Sequence, residues 1–325
     1  MVTTPHIAVI GGSGFIGTRL ISRLTELGLP LRSGDLIQSL SFPNLHTTCD
    51  VRQSASMRNI LSGASAIINL AAEHRDDVRP VSRYYETNVE GARELCMAAS
   101  EAGIQTIIFT SSVAVYGFQS FPADESGPFV PFNPYGETKL QAEEVYRLWA
   151  KQDPTRTLVI IRPTVVFGEG NRGNVYNLLR QIASGRFMMV GPGVNKKSMA
   201  YVDNITDALV YGLSFSSGIH IFNYVDSPDL CMNELVALVN QQLGRPHSNG
   251  PRIPLPLALT GGFILDALAR VSGRTFPISA IRVRKFCEST QFNGSKIRES
   301  GFQPRFSLLE GLTNTIKAEF SSTKA

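Results

Sequence analysis

Short runs of apolar and β-branched residues alternate with stretches of helical periodicity through the first half of the chain. His6 to Ile10, Leu29 to Leu31, His46 to Cys49, Ala66 to Leu70, Thr106 to Thr110 and Thr157 to Ile161 read as strands, and the intervals between them can each hold a helix. Strand and helix in alternation predicts an α/β fold, a parallel, doubly wound sheet with helices on both faces. Past Arg162 the pattern changes, and glycine and proline become frequent in GEGNRG and VGPGVNK. A helix is expected from Asn174 and another after Asp203, whose carboxylate suits an N-cap. A strand from Ile219 to Val225 is expected to return to the sheet before a less regular C-terminal part. The expected division is a sheet domain, 1–168 plus about 200–228, and a smaller C-terminal domain, 169–199 plus 229–325.

Composition narrows the class. The 325 residues are 43% hydrophobic and carry a net charge of +4, from 31 Lys and Arg against 27 Asp and Glu. These values exclude a disordered tail, a collagen-like repeat and a membrane bundle. Four cysteines (Cys49, Cys96, Cys231, Cys287) lie far apart with no CxxC and no nearby His pair. Neither a metal site nor a disulfide framework is expected, and a reducing, cytoplasmic setting fits. The N-terminus has no basic leader and no small-residue cleavage site, so no export signal is expected. Leu255 to Leu265 is the most membrane-like stretch, but it has only about half the length of a span. Pro256 and a glycine pair interrupt it and Asp266 follows, so stable insertion is not expected, while peripheral contact stays open.

Charge is uneven. From Arg245 to Arg298 nine Lys or Arg face two acids, a local excess of +7, which leaves the rest slightly acidic. This segment reads either as a solvated basic face or as a site for a diphosphate-bearing substrate. Nucleic acid is not an expected partner, because no aromatic-interleaved basic motif appears.

The chemistry-bearing residues come in a fixed order. In GGSGFIG, Gly11, Gly14 and Gly17 follow a strand and open a helix, where a dinucleotide pyrophosphate can approach backbone N–H groups. Asp35, 18 residues beyond Gly17, can accept from both ribose hydroxyls and repels a 2′-phosphate, which favours NAD over NADP, with Arg32 three residues earlier as the complication. Asp50 suits either an adenine contact or an Asx turn. Thr110-Ser111-Ser112 close a strand at the sheet edge where ligands bind. Tyr135 and Lys139, four apart on a helical pattern, share one face, so the ammonium can lower the phenol's pKa and make it an acid or base toward a ketone or alcohol. Trp149 reads as helix packing and His74 as a surface residue, in a loop with Arg75, Asp76, Asp77 and Arg79 that suits substrate contact.

Together these motifs resemble the extended short-chain dehydrogenase/reductases, specifically the NAD-dependent epimerase/dehydratase family acting on nucleotide sugars. The resemblance runs through IGGSGFIG, NLAAE (69–73), ETNVEGA around Asn88, FTSSVAVYG (109–117), NPYGETK (133–139), IRPTVVFGEG (161–170) and YVDNITDAL (201–209). It implies a Rossmann-type domain with a smaller substrate-binding domain, and Ser112, Tyr135 and Lys139 as the catalytic trio. It implies NAD lined by Gly11, Gly14, Phe15, Ile16, Gly17, Asp35, Asp50, Val51, Leu70, Ala71, Ala72, Asn88 and Pro163, together with Tyr135 and Lys139. For the substrate it implies Ser112 and Asn174, with Lys197 where many relatives carry an arginine, and Arg282 or Arg284 as further cations on the diphosphate. A homodimer is the corresponding family expectation.

Val113-Ala114 stand where the sugar 4,6-dehydratases of this group carry an Asp-Glu pair, which argues against elimination of water. A nucleotide-sugar 4-epimerase, acting on a UDP-hexose or UDP-N-acetylhexosamine, is the leading expectation. The alternatives are an NAD(P)H-dependent 4-ketosugar reductase and, further off, a non-catalytic dinucleotide-binding protein.

Overall fold

The computed structural model describes residues 5–75, 78–119, 122–246, 251–272 and 280–321. Strands β1 (His6–Ile10), β2 (Leu31–Asp35), β3 (His46–Thr48), β4 (Ala64–Asn69), β5 (Thr106–Thr110), β6 (Thr157–Pro163) and β7 (Gly218–Tyr224) form one sheet. Its order is β7-β6-β5-β4-β1-β2-β3, with all neighbours parallel. Ile10 stands level with both Gly34 and Asn69, so the carboxyl ends of β1, β2 and β4 share one edge. The order reverses between β1 and β4, the position at which a Rossmann-type sheet opens a crevice for ligand.

The longer helices are α1 (Phe15–Glu26), α2 (Ser54–Leu61), α3 (Gly91–Glu101), α4 (Pro134–Lys151), α5 (Asn174–Ala183), α6 (Val202–Tyr211), α7 (Met232–Gln242), α8 (Leu255–Ser272), α9 (Ala280–Cys287) and α10 (Leu308–Phe320). Alternate strand residues feed two cores. Ala8, Ile10, Ile107 and Phe109 pack with Met57 of α2, Leu95 of α3 and Tyr146 of α4. Ile7, Val9, Ile108 and Ile161 pack with Leu20 of α1 and Leu209 of α6 on the other face. Burial on both faces is why the strands read as continuous apolar runs.

Two compact units divide the chain. The first is Met1–Val166, Ala200–Val225 and Phe292–Phe306, and the second is Phe167–Met199, Asp226–Gln291 and Ser307–Ala325. Phe292–Phe306 joins the first unit, unlike the expected 229–325 grouping, because Ile297 and Phe302 are buried in the core beside α6. In the second unit, Lys196–Lys197 pairs antiparallel with Leu230–Cys231, and Met189–Val190 pairs with Arg252–Ile253.

Three local expectations shift. The strand expected at Leu29 to Leu31 runs from Leu31 to Asp35 through polar LRSGD, where a Cβ on Gly34 would lie 2.8 Å from Ile60 and 2.9 Å from Cys49. Tyr201, not Asp203, is the N-cap of α6; Asp203 lies in its first turn, 3.5 Å from Arg19. The C-terminal part is largely helical. Pro256 falls in the first turn of α8, where a missing N–H costs little.

Candidate active site

The glycine turn joins β1 to α1 by close backbone contact. Gly11 has φ +83°, and a Cβ there would stand 2.6 Å from the Ala71 nitrogen. A Cβ on Gly17 would stand 2.4 Å from the Gly11 oxygen, so this glycine lets the helix press on the turn. Gly14 differs: it is the N-cap of α1, and the nearest atom to its virtual Cβ is 3.4 Å away. Phe15 and Ile16 begin the helix, whose N-terminal N–H groups make this end favourable for an anion.

Asp35, the last residue of β2, is held beside this turn. Its Oδ2 accepts from the Ser13 backbone N–H at 3.0 Å and its Oδ1 from that of Ile37 at 3.2 Å. Arg32 turns away, donating to the Asn59 carbonyl at 2.9 Å. Asp50 takes its Asx-turn alternative: it accepts from the Arg52 N–H at 3.0 Å and pairs with the Arg52 guanidinium at 2.7 Å. That hydrogen-bonded arginine holds the Asp50 carboxyl below the usual range. Val51 is buried beneath Gly91.

At the end of β4, the Leu70 N–H donates to the Ile10 carbonyl at 2.8 Å and the Ala71 N–H to Asn69 Oδ1 at 3.0 Å. Ala72 follows, half-buried. Asn88 sits in a π-wound segment, Tyr85–Glu90, that leads into α3. Its side chain accepts from the Glu73 N–H at 2.8 Å and donates to the Glu73 carbonyl and to Thr138 Oγ1, both at 3.0 Å. With both amide hydrogens engaged, Asn88 clamps the β4 loop to α4. His74 is exposed, while Asp76 and Asp77 lie outside the described residues.

Ser112 leaves β5 in extended conformation and caps the short helix Val113–Tyr116, its Oγ accepting from the Ala114 N–H at 3.1 Å. The hydroxyl proton is thereby left for an oxygen outside the turn. Helix α4 starts on Asn133, whose Oδ1 caps the Gly136 N–H at 2.9 Å. A Cβ on Gly136 would lie 2.4 Å from the Ala114 oxygen, so the first turn of α4, carrying half-buried Tyr135, presses on the turn that carries Ser112.

Lys139, one turn further, is buried. Its Nζ donates to the Thr110 carbonyl at 2.8 Å and lies 4.7 Å from the centre of the Phe109 ring. Burial pulls its pKa down to about 7, and Glu143 opposes the fall. Tyr116 is no competing base: burial pushes its phenol up to about 12.

Below the trio lies a buried network that the sequence reading does not assign. Glu143 and Arg162 form a two-bond pair at 2.8 and 2.6 Å, both side chains fully buried. Ser111 Oγ donates to Glu143 at 2.6 Å, and Arg162 Nη1 donates to the Tyr116 hydroxyl at 2.6 Å. Two signals were available: an arginine inside the apolar strand TLVIIRP, and the ladder Tyr135, Lys139, Glu143 at intervals of four. Pro163 ends β6, buried, and Thr110 Oγ1 and Thr164 Oγ1 beside this edge are buried without hydrogen-bond partners.

Sequence comparison identifies the lineage. The profile of the NAD dependent epimerase/dehydratase family matches residues 7–223. The chain belongs to that family. As a family member it is an NAD-dependent enzyme. Among its relatives, N-acetyl-alpha-D-glucosaminyl-diphospho-ditrans,octacis-undecaprenol 4-epimerase of Escherichia coli O157:H7 is 47% identical over 321 residues, covering 98% of this chain and 96% of its own. UDP-glucose 4-epimerase of Vibrio cholerae is 27% identical over 329 residues, covering 96% and 94%. The solved UDP-N-acetylglucosamine 4-epimerase of Bacillus cereus shares the fold of this family member at TM-score 0.75 and 18% identity, covering 96% and 98%.

The remaining candidate residues of this epimerase/dehydratase lie in its second unit. Asn174 opens α5 and is exposed. Lys197 donates to the Glu288 carbonyl at 2.6 Å and to Thr290 Oγ1 at 3.2 Å, and burial lowers its pKa. Those bonds tie it to the chain just after α9. Arg284 is exposed on α9, whereas the Arg282 side chain lies outside the described residues.

Proposed function

We propose that the enzyme inverts C4 of an N-acetylhexosamine carried on a polyprenyl diphosphate, through a transient 4-keto sugar. The observation that carries this reading is 47% identity along the whole chain to a relative named for such a lipid-linked sugar, against 27% to a UDP-glucose 4-epimerase. The leading expectation from sequence, a nucleotide sugar, is thereby changed in its carrier and kept in its reaction.

The residues present fit NAD. Gly11, Gly14, Phe15, Ile16 and Gly17 give a turn that side chains would fill, and Asp35 is pre-positioned for ribose hydroxyls with Arg32 directed elsewhere. Val51, Leu70, Ala71, Ala72 and Pro163 would line the rest, with Asp50 and Asn88 holding the lining in place. Bound there, NAD supplies a hydride acceptor and donor for C4.

Tyr135 takes the 4-hydroxyl proton and returns it, acting as base and then acid. Lys139 holds the phenol's pKa down when charged, and Glu143 four residues on favours that charge. Ser112 donates its hydroxyl proton to the reacting oxygen, since its lone pair is held by Ala114. Val113 and Ala114 offer no second acid and base, so no group is expelled. Asn174 and Arg284 are assigned to the diphosphate, Lys197 being engaged by Glu288 and Thr290. The first unit is the NAD domain and the second the substrate domain, and two chains associate through α3 and α4. All four cysteines are free thiols, in keeping with a cytoplasmic site.

The test is to incubate purified protein, without added cofactor, with N-acetylglucosaminyl-diphospho-undecaprenol and separately with UDP-N-acetylglucosamine. Interconversion of the gluco and galacto forms is expected on the lipid-linked substrate. Consumption of NADH on a 4-keto sugar without interconversion would establish the reductase instead, and turnover of the UDP-sugar alone would overturn the carrier assignment.

A further inference from the structure

Helix α8 exposes several large apolar side chains. Leu257 is 64% exposed, Phe263 61%, Ile264 56% and Leu268 49%, and Ile281 at the start of α9 is 57% exposed. Leu257, Ile264 and Leu268 recur at helical spacing with exposed Thr260 and Gly261 between them, so they make one stripe about 16 Å long. The other side of α8 faces protein. Gly262 is buried, and Asp266 Oδ2 accepts from the Ala280 N–H at 3.0 Å, which fastens α8 to the first residue of α9.

Along the sequence that carries the stripe, charge has one dominant sign. Between Leu255 and Glu288 the sequence places Arg270, Arg274, Arg282, Arg284 and Lys285 against Asp266 and Glu288, a net +3. Asp266 is occupied by the α9 backbone, so the segment offers apolar and basic character together. Among the described residues no helix is long and apolar enough to cross a membrane. A helix tied down along one side and apolar along the other lies in an interface rather than through it.

We infer that the exposed face of α8, with Ile281, docks this enzyme on the surface of an anionic lipid bilayer. The apolar stripe enters the headgroup boundary, and the net positive charge of this stretch of sequence favours anionic lipid. This deepens the polyprenyl-carrier reading and rests on it for its purpose, because a sugar on a polyprenyl diphosphate is presented at headgroup depth. The occupant is lipid rather than a second copy because the sequence from Leu255 to Glu288 carries a net charge of +3, which another copy of the same segment would repel.

The experiment is sedimentation of the full-length, NAD-loaded protein with vesicles of phosphatidylglycerol and phosphatidylethanolamine, and with vesicles of phosphatidylcholine alone. Binding to the anionic vesicles at low salt is expected, weaker by about tenfold or more on phosphatidylcholine or at high salt. The double substitution Ile264→Glu and Leu268→Glu is expected to abolish vesicle binding while NAD content and turnover of detergent-dispersed substrate stay unchanged. Leu257→Ser is a milder second variant, expected to weaken binding in the same direction. Failure of the wild type to sediment with anionic vesicles overturns the inference. So does a wild-type dimer that the double substitution splits into monomers, since a second copy would then cover α8. Vesicle binding reads docking and turnover reads the carrier, so either can fail alone.

Discussion

Lys139 holds a charge where none is cheap. Its amine is buried, bonded to one carbonyl and set against an aromatic face, and its pKa falls to about 7 from an ordinary 10.5. Between those two values the unfolded chain binds more protons at this amine than the folded chain, so its penalty on stability shrinks as pH rises from about 7 to 10.5. Lys139→Met removes the titration. The stability difference between variant and wild type is expected to move in the wild type's favour across that window and to stay level below pH 7, as followed by urea unfolding of the NAD-free proteins at a series of pH values. A level difference throughout would mean that the amine is not the titrating group. Arg162 poses the complementary case, a full charge held by Glu143. Arg162→Met leaves the buried Glu143 carboxylate only Arg147 at 2.9 Å and the Ser111 hydroxyl at 2.6 Å. It is expected to destabilise by somewhat less than the ~3–5 kcal/mol of a wholly unpaired buried charge, with Glu143→Leu added to it restoring part of the loss. Equal urea midpoints for single and double variants would show that the pair does not act as a unit. Neither partner betrays the other in the sequence, since 19 residues and a change from helix to strand separate them.

The glycine turn is an element-scale device, and two of its glycines separate its two tasks. Gly17→Ala puts a Cβ 2.4 Å from the Gly11 oxygen, forcing α1 off the turn. Both thermal stability and NAD affinity are expected to drop, the affinity by about tenfold or more. Gly14→Ala meets no protein atom closer than 3.4 Å and keeps an extended φ of −70°. Its melting temperature is expected to stay near that of the wild type while NAD binding weakens, because the methyl group faces the approach to the α1 N-terminus. Calorimetric titration with NAD beside a melting curve decides both, and a Gly14→Ala protein with unchanged NAD affinity would place the pyrophosphate elsewhere. This turn was legible because β1 is an apolar strand with a sharp end and the glycines follow it at once. β2 was displaced because LRSGD has almost no apolar signature; it is a strand through its place beside β1 and the lack of a side chain at Gly34. Helices α8 and α9 were hidden by Pro256 and the Gly261-Gly262 pair, and their tie through Asp266 to Ala280 is a tertiary contact that local pattern does not encode.

At the scale of the whole molecule the question is how many chains make the enzyme. α3 and α4 lie side by side over one face of the sheet, sending Leu95, Ala99, Ala142, Tyr146 and Trp149 into its core. Their outward sides keep Met97 at 46% and Leu148 at 54% exposure, two large apolar residues on neighbouring helices. A second copy related by a two-fold axis would cover both at once, which is the self-complementary arrangement of most homodimers. The catalytic assignment does not depend on it, since Ser112, Tyr135, Lys139 and the glycine turn all belong to the first unit of one chain. Leu148→Arg is therefore expected to convert a wild-type dimer into a monomer in sedimentation velocity, with NAD content unchanged and turnover per chain altered by less than about threefold. A charge buried at such a contact without a partner costs far more than one at a rim, so a sharp shift is the expected result. If the wild type already sediments as a monomer at micromolar concentration, or if Leu148→Arg leaves the dimer intact, α3 and α4 are not the interface. If the dimer splits and NAD is lost with it, the partner chain shapes the cofactor site and the independence argued from the first unit fails.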